Sequence, residues 1–198
     1  MDRIVFLGMD LSGKSRAAQN TASTLGKIVR SNLLTADKTI YIEAVNKMKT
    51  GNLTDQEKLY LFSTIYQHDL DVFKDSEEEQ TISLVQDNFG IVRNISYFDY
   101  NGYDVNALIT ILKSYSKPTH SFYLTCSKKE RLKRLEGRSK DKPEDVYERL
   151  LREHPKAFFE MDKIAKELYS HYFDCDLIDN TNINEEETTE YVLSRLGK

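Results

Sequence analysis

Residues 8–15 read Gly-Met-Asp-Leu-Ser-Gly-Lys-Ser. Gly8 and Gly13, followed at once by Lys14 and Ser15, form the G-x-x-x-x-G-K-[ST] pattern of a loop that wraps phosphate. Glycine permits positive φ and close backbone approach, so successive N–H groups can turn inward around an anion. Lys14 supplies a point charge to the β- and γ-phosphates of ATP, and the Ser15 hydroxyl is placed to ligand Mg²⁺. A helix starting at the loop adds the positive end of its dipole. The plain alternative is a glycine turn that happens to contain a lysine. The apolar run Arg3-Ile4-Val5-Phe6-Leu7 before the loop and the helix-forming stretch after it favour the phosphate reading.

Phosphoryl transfer relies on charge neutralisation and in-line positioning. It therefore needs a carboxylate and mobile cations beside the cradle. Asp87, at the end of the buried-strand pattern 81–87, is the candidate carboxylate. It could take a proton from an acceptor hydroxyl or hold Mg²⁺ through water; as a bland alternative, Asp87-Asn88 starts a turn. The candidate cations are Arg131, Arg134, Arg138 and Lys140, the three arginines sharing one helical face by their spacing of three and four. A solvated, ion-paired helix explains such a stretch equally simply, but its position after a strand whose end faces the site, and the hinge-like Gly137, favour Arg134 and Arg138 as catalytic. Asp10, a carboxylate inside a phosphate loop, must point toward an acceptor hydroxyl or another cation.

These residues need elements to position them. A strand over 3–7 leads to a helix over 14–29, then an extended piece at 33–34. Asp55 to Phe73 repeats Leu59, Phe62, Ile65, Tyr66, Leu70 and Phe73 at helical spacing, with Thr54 and Glu57 as a capping box. After the 81–87 strand come a helix over 104–115, a strand over 121–126, a basic helix over 128–138, a helix over 156–169, a strand over 176–179 and a helix over 185–196. Residues 39–53 fit no element. Alternating strands and helices predict an α/β fold, a mostly parallel five-stranded sheet flanked by helices. Ligands of such sheets lie beyond the carboxyl ends of the strands. The 198 residues fit a single domain with a lid at about 128–143.

A net charge of −4 argues against a dedicated nucleic-acid partner. No apolar run reaches membrane-spanning length, and the first strand is too short for a signal peptide. Cys126 and Cys175, far apart, read as reduced buried thiols of a cytoplasmic protein. The four histidines lack partners at ligand spacing and read as structural.

With these residues in hand, the chain resembles the thymidylate kinase branch of the P-loop nucleoside and nucleotide kinases. That group carries G-x-D-x-x-G-K-[ST], matched by Gly8, Asp10, Gly13, Lys14 and Ser15; its helix ending in Gln-His matches Tyr66-Gln67-His68. Its strand ending in Asp-Arg-Tyr falls on Asp87-Asn88-Phe89, its lid on 131–141, and its late strand on 177–181. The resemblance implies a three-layer P-loop NTPase fold and an ATP- and Mg²⁺-dependent transferase acting on a nucleoside monophosphate or related small acceptor. Gly8, Asp10, Leu11, Ser12, Gly13, Lys14, Ser15 and Arg16 would surround the donor, Ser15 and Asp87 the metal. Leu11 excludes an arginine inside the loop, which assigns catalysis to the lid. Asp10, Phe62, Tyr66 and Arg93 would contact the acceptor, and the long 55–73 helix could form a homodimer. Two arginines expected on the acceptor phosphate fall on Ile65 and Asn88. Either Arg93 replaces them, or the acceptor carries no phosphate or is not a thymidine compound. A deoxynucleoside kinase, and a non-catalytic nucleotide-binding regulator, are the alternatives.

Overall fold

The computed structural model describes residues 2–35, 37–75, 83–138 and 145–198. Strands β1 (Asp2–Leu7), β2 (Ile28–Asn32), β3 (Ser83–Phe89), β4 (His120–Thr125) and β5 (Asp176–Asp179) form one sheet in the order β2-β3-β1-β4-β5. Every pairing is parallel. Parallel neighbours need long crossovers, and the helices supply them. These are α1 (Lys14–Leu25), α2 (Thr39–Thr50), α3 (Asp55–Lys74), α4 (Gly90–Tyr100), α5 (Asn106–Ser114), α6 (Lys128–Glu136), α7 (Val146–Glu153), α8 (Pro155–Phe173) and α9 (Glu185–Arg195). None is long and apolar enough to cross a membrane.

The strand alternation divides the core. Ile4, Phe6, Val85, Phe122 and Leu124 face α1 and α9, where Ala17, Ala18 and Ala22 present small side chains that let α1 lie close to the sheet. Val5, Leu7 and Tyr123 face the other layer, meeting Ile91 and Ile95 of α4, Leu108 of α5, and Phe158 and Met161 of α8. The central position of β1 fixes the loop that follows it. Leu7 is fully buried, so Gly8 leaves the sheet from its central strand.

Several boundaries differ from the sequence expectation. Helix α1 stops at Leu25 because Gly26 takes φ 63° and donates its N–H to Ala22 and Ser23, a left-handed C-cap. The second strand therefore falls on 28–32 instead of 33–34, and Leu33 and Leu34 are buried in the turn beyond it. Strand β3 runs past Asp87 to Phe89. Residues 39–50, unplaced from sequence, form α2, and α4 and α7 were not anticipated. The basic helix ends at Glu136; Arg138 lies beyond it, and Lys140 lies outside the described residues. The capping box of Thr54 and Glu57 is present at the start of α3.

Candidate active site

The loop between β1 and α1 has positive φ at Gly8 (134°), Leu11 (63°) and Gly13 (89°). A Cβ on Gly8 would collide with the Leu124 carbonyl oxygen and sit 2.7 Å from Ser12 Oγ; one on Gly13 would lie 2.7 Å from Asn180 Nδ2. Both glycines are thus required by close approach as well as by φ. Asn180, just past β5, braces the loop. Its Nδ2 donates to Ser12 O at 2.7 Å, and its backbone N–H to Thr125 O at 2.9 Å. Ser12 is buried inside the turn, its N–H donating to Met9 O at 3.3 Å. The first N–H groups of α1 have no partner within the helix, and Gly13 brings no side-chain cap. They are left for an anion.

Lys14 is 6 % exposed, its Nζ 3.2 Å from Asp10 Oδ1. One residue on, Ser15 Oγ donates to Asp87 Oδ1 at 3.0 Å. Burial raises the Asp87 carboxyl above its ordinary value, opposed by Lys14 and Ser15. Lys38, ahead of α2, also acts on Asp87. Ser15 and Asp87 thus place two oxygens together at the mouth of the phosphate loop. Among the described residues no three His, Cys, Asp or Glu side chains cluster at metal spacing. Two protein oxygens suit Mg²⁺, which keeps waters and takes substrate phosphates as its remaining ligands. The residues present fit both a triphosphate and that ion.

Asp10 points across the cleft. Its oxygens lie 3.4 and 3.5 Å from Arg93 NH1, on α4, in addition to Lys14. Burial works to raise the Asp10 carboxyl, but Lys14 and Arg93 override it and bring it down to about 2. Arg93 stacks 4.7 Å over the Tyr147 ring. The Asp145 side chain, at the start of α7, hydrogen-bonds to Asp10; burial and that neighbouring negative charge push Asp145 up to about 6. Asp145 also caps α7, accepting from the Tyr147 and Glu148 N–H groups. The sequence reading missed Asp145, although Asp145-Val-Tyr-Glu148 is a helix-start signature.

The arginines of the segment expected as a lid stand in three different settings. Arg131 is fully buried, donating to Asp10 O and Asp162 Oδ2, both at 2.8 Å, between Phe158 and Phe159. It ties the loop backbone at Asp10 to α8 at Asp162. Arg134 donates to Leu11 O (3.1 Å), Asn180 Oδ1 (3.2 Å) and Asn180 O (3.1 Å), and its Nε meets Glu130 at 3.0 Å. It lies against the outer wall of the loop, lining a cavity of about 370 Å³ with Gly13, Arg16, Ala17, Ile183, Asn184 and Thr188. That cavity has the place and size for the base of a nucleotide whose phosphates enter the loop. Arg16 edges it, paired with Glu185 at 3.4 Å. Arg138 pairs with Glu148 of α7.

The aromatic pair expected at the acceptor is divided. Tyr66 has no exposed surface, and its hydroxyl accepts from Asn94 Nδ2 at 2.8 Å. Its place is the core, because α4 packs over it. Phe62, half-buried, stacks on Tyr66 at 6.1 Å. Gln67 and His68 face outward, Gln67 bonding Asp71 at 2.7 Å. Ile65 is core. Asn88 (φ 64°) donates from Nδ2 to Oδ1 of Asn32 (φ 69°) at 3.0 Å, at the adjoining ends of β3 and β2.

No protein-family model matches this chain, and no curated protein sequence matches it. Solved structures do. A thymidylate kinase from Candida albicans superposes with a TM-score of 0.71 at 17% identity, over 99% of this chain and 91% of that one. A deoxyadenosine kinase from M. mycoides, with products dCMP and a flexible dCDP bound, gives 0.65 at 15% identity over 98% of both chains. A thymidylate kinase from Ehrlichia chaffeensis gives 0.65 at 14% identity over 98% of both. The chain has the three-layer fold of these P-loop kinases along nearly its whole length.

Proposed function

We propose that this chain is a Mg²⁺-dependent phosphotransferase that moves the γ-phosphoryl group of ATP to a small nucleoside or nucleotide acceptor. The observation that carries this reading is the Ser15–Asp87 contact of 3.0 Å beside Lys14, at the mouth of a glycine-shaped loop. The kinase fold supports it.

In this reading the loop backbone and the N-terminus of α1 bind the β- and γ-phosphates, and Lys14 leaves Asp10 to meet them. Ser15 directly and Asp87 through water would hold Mg²⁺, which would supply positive charge to the phosphate oxygens. The base of the donor enters the cavity beside Arg134 and Asn180. An acceptor oxygen, approaching from the side of Asp10 and Arg93, bonds to the γ-phosphorus as the bond to the β–γ bridging oxygen breaks and ADP leaves. Where that oxygen is a hydroxyl, Asp87 takes its proton. Arg138, drawn from Glu148, is the cation best placed to follow the lid toward the transferred group.

Asp87→Asn tests the assignment, since the amide keeps an oxygen for Ser15 but loses charge and basicity. ADP release should fall about 10²–10⁴-fold, while binding of ATP in the absence of metal stays within a few-fold. Unchanged ADP release in Asp87→Asn removes Asp87 from the chemistry.

A further inference from the structure

We infer that the acceptor carries no phosphate: the linked amides of Asn32 and Asn88, with Arg93 already balanced by Asp10, form a neutral recognition site for an unphosphorylated nucleoside. This rests on the phosphotransferase reading above and specifies its acceptor.

The first argument is the amide pair. Asn88 directly follows Asp87 at the carboxyl end of β3, and Asn32 closes the neighbouring strand, the end of a parallel sheet at which ligands bind. Both asparagines adopt left-handed backbone, which side chains other than glycine rarely take, at the adjoining ends of two strands. Their mutual bond of 3.0 Å is the one hydrogen bond either side chain makes among the described residues. The pair therefore retains the Asn32 amide hydrogens as donors and Asn88 Oδ1 as an acceptor, side by side and uncharged. That array suits hydroxyls or the polar edge of a base. It offers nothing to neutralise a phosphate.

The second argument is charge. A monophosphate brings roughly two negative charges. Once Lys14 serves the donor, the cations left on this side among the described residues are Arg93 and Lys38. Arg93 is held by both oxygens of Asp10 and seated on Tyr147, and Lys38 acts on Asp87. Against them stand Asp10 and Asp145, with Asp87 given to Mg²⁺, while Arg138 is paired with Glu148. Among the described residues the acceptor side thus has no positive charge to spare before any ligand enters. A neutral hydroxyl acceptor needs no further cation; a monophosphate would find none unpaired among the described residues.

The test compares a panel of nucleosides with their own 5′-monophosphates, in turnover with Mg-ATP and in calorimetric binding without ATP. The inference expects at least one nucleoside to exceed its monophosphate by about 100-fold in kcat/KM and to bind more tightly. Asn32→Ala should raise the KM for that nucleoside several-fold, about what one lost hydrogen bond provides. Asn88→Arg should move the nucleoside-to-monophosphate ratio toward the monophosphate by tenfold or more. Preference for the monophosphate, in turnover or in binding, overturns the inference and leaves the phosphotransferase reading standing. Tight nucleoside binding with no acceptor-dependent ADP release would fail that reading and keep the inference. Binding of neither compound overturns the inference.

Discussion

Arg131→Met should destabilise the fold without removing a group from the chemistry. Arg131 has no exposed surface, and its guanidinium reaches Asp162 Oδ2 and Asp10 O at 2.8 Å each, with Cys126 O at 3.4 Å. Methionine keeps an apolar stem between Phe158 and Phe159 but leaves the Asp162 carboxylate with the Tyr123 hydroxyl, at 2.6 Å, as its side-chain partner. Breaking a buried ion pair from one side costs about 3–5 kcal/mol. In a chain of 198 residues each kcal/mol shifts Tm by about 2–4 °C, so the melting point should fall by about 6–20 °C. Adding Asp162→Asn removes the orphaned charge, keeps an acceptor for Tyr123, and should recover at least half the loss. The assay is thermal unfolding by circular dichroism, with ADP release measured well below each variant's transition. Turnover per folded molecule should stay within about tenfold of the parent. An unchanged melting point with turnover lost 100-fold would refute the reasoning and put Arg131 on the transferred phosphoryl group.

Three further outcomes follow from the geometry. Gly13→Ala forces a Cβ to within 2.7 Å of Asn180 Nδ2 at φ 89°, so ATP binding by calorimetry should weaken at least tenfold; unaltered affinity would mean the loop adjusts freely. Arg134→Ala loosens Leu11 O and Asn180 from the wall of the base cavity and should raise the Kd for ATP more than it lowers kcat, whereas a pure kcat loss would place Arg134 over the γ-phosphate. Asp145, ordinarily near 3.8 but raised here to about 6, stays protonated in the folded protein where the unfolded chain has lost its proton. Stability therefore falls as pH rises from about 4 to 6. Asp145→Asn should flatten that fall in urea titrations; an unaltered slope between pH 4 and 6 would show that Asp10 and Asp145 do not share a proton.

The parts legible in the sequence were those whose signal is local. The phosphate loop needs only Gly8, Gly13, Lys14 and Ser15 between a strand and a helix. Helix α3 announces itself through periodicity and its capping box. Strand β2 was displaced because it is only half-buried and lies beside Leu33 and Leu34, which are more apolar and more deeply buried. Helix α4 went unread because it starts directly at Gly90, with Phe89 at the N-cap making no side-chain bond. Within the site, the contacts that assign roles cross long stretches of chain. Arg93 meets Asp10 over 83 positions, and Arg134 meets Leu11 over 123. Spacing put Arg131, Arg134 and Arg138 on one face, with Arg134 and Arg138 favoured; packing separates all three, because Asp162, Asn180 and Glu148 each claim one. Tyr66 shows the same limit: an aromatic at helical spacing is core or ligand platform according to what packs over it.

The central claim is tested most directly by acceptor-dependent release of ADP from Mg-ATP, for the parent and for Lys14→Ala. The account predicts that nucleosides or nucleotides stimulate ADP release from the parent protein and that Lys14→Ala abolishes the stimulation while remaining folded. ATP binding without stimulation by any acceptor would contradict it and make the chain a nucleotide-binding regulator. Turnover that survives in Lys14→Ala would contradict it by separating the reaction from the phosphate loop.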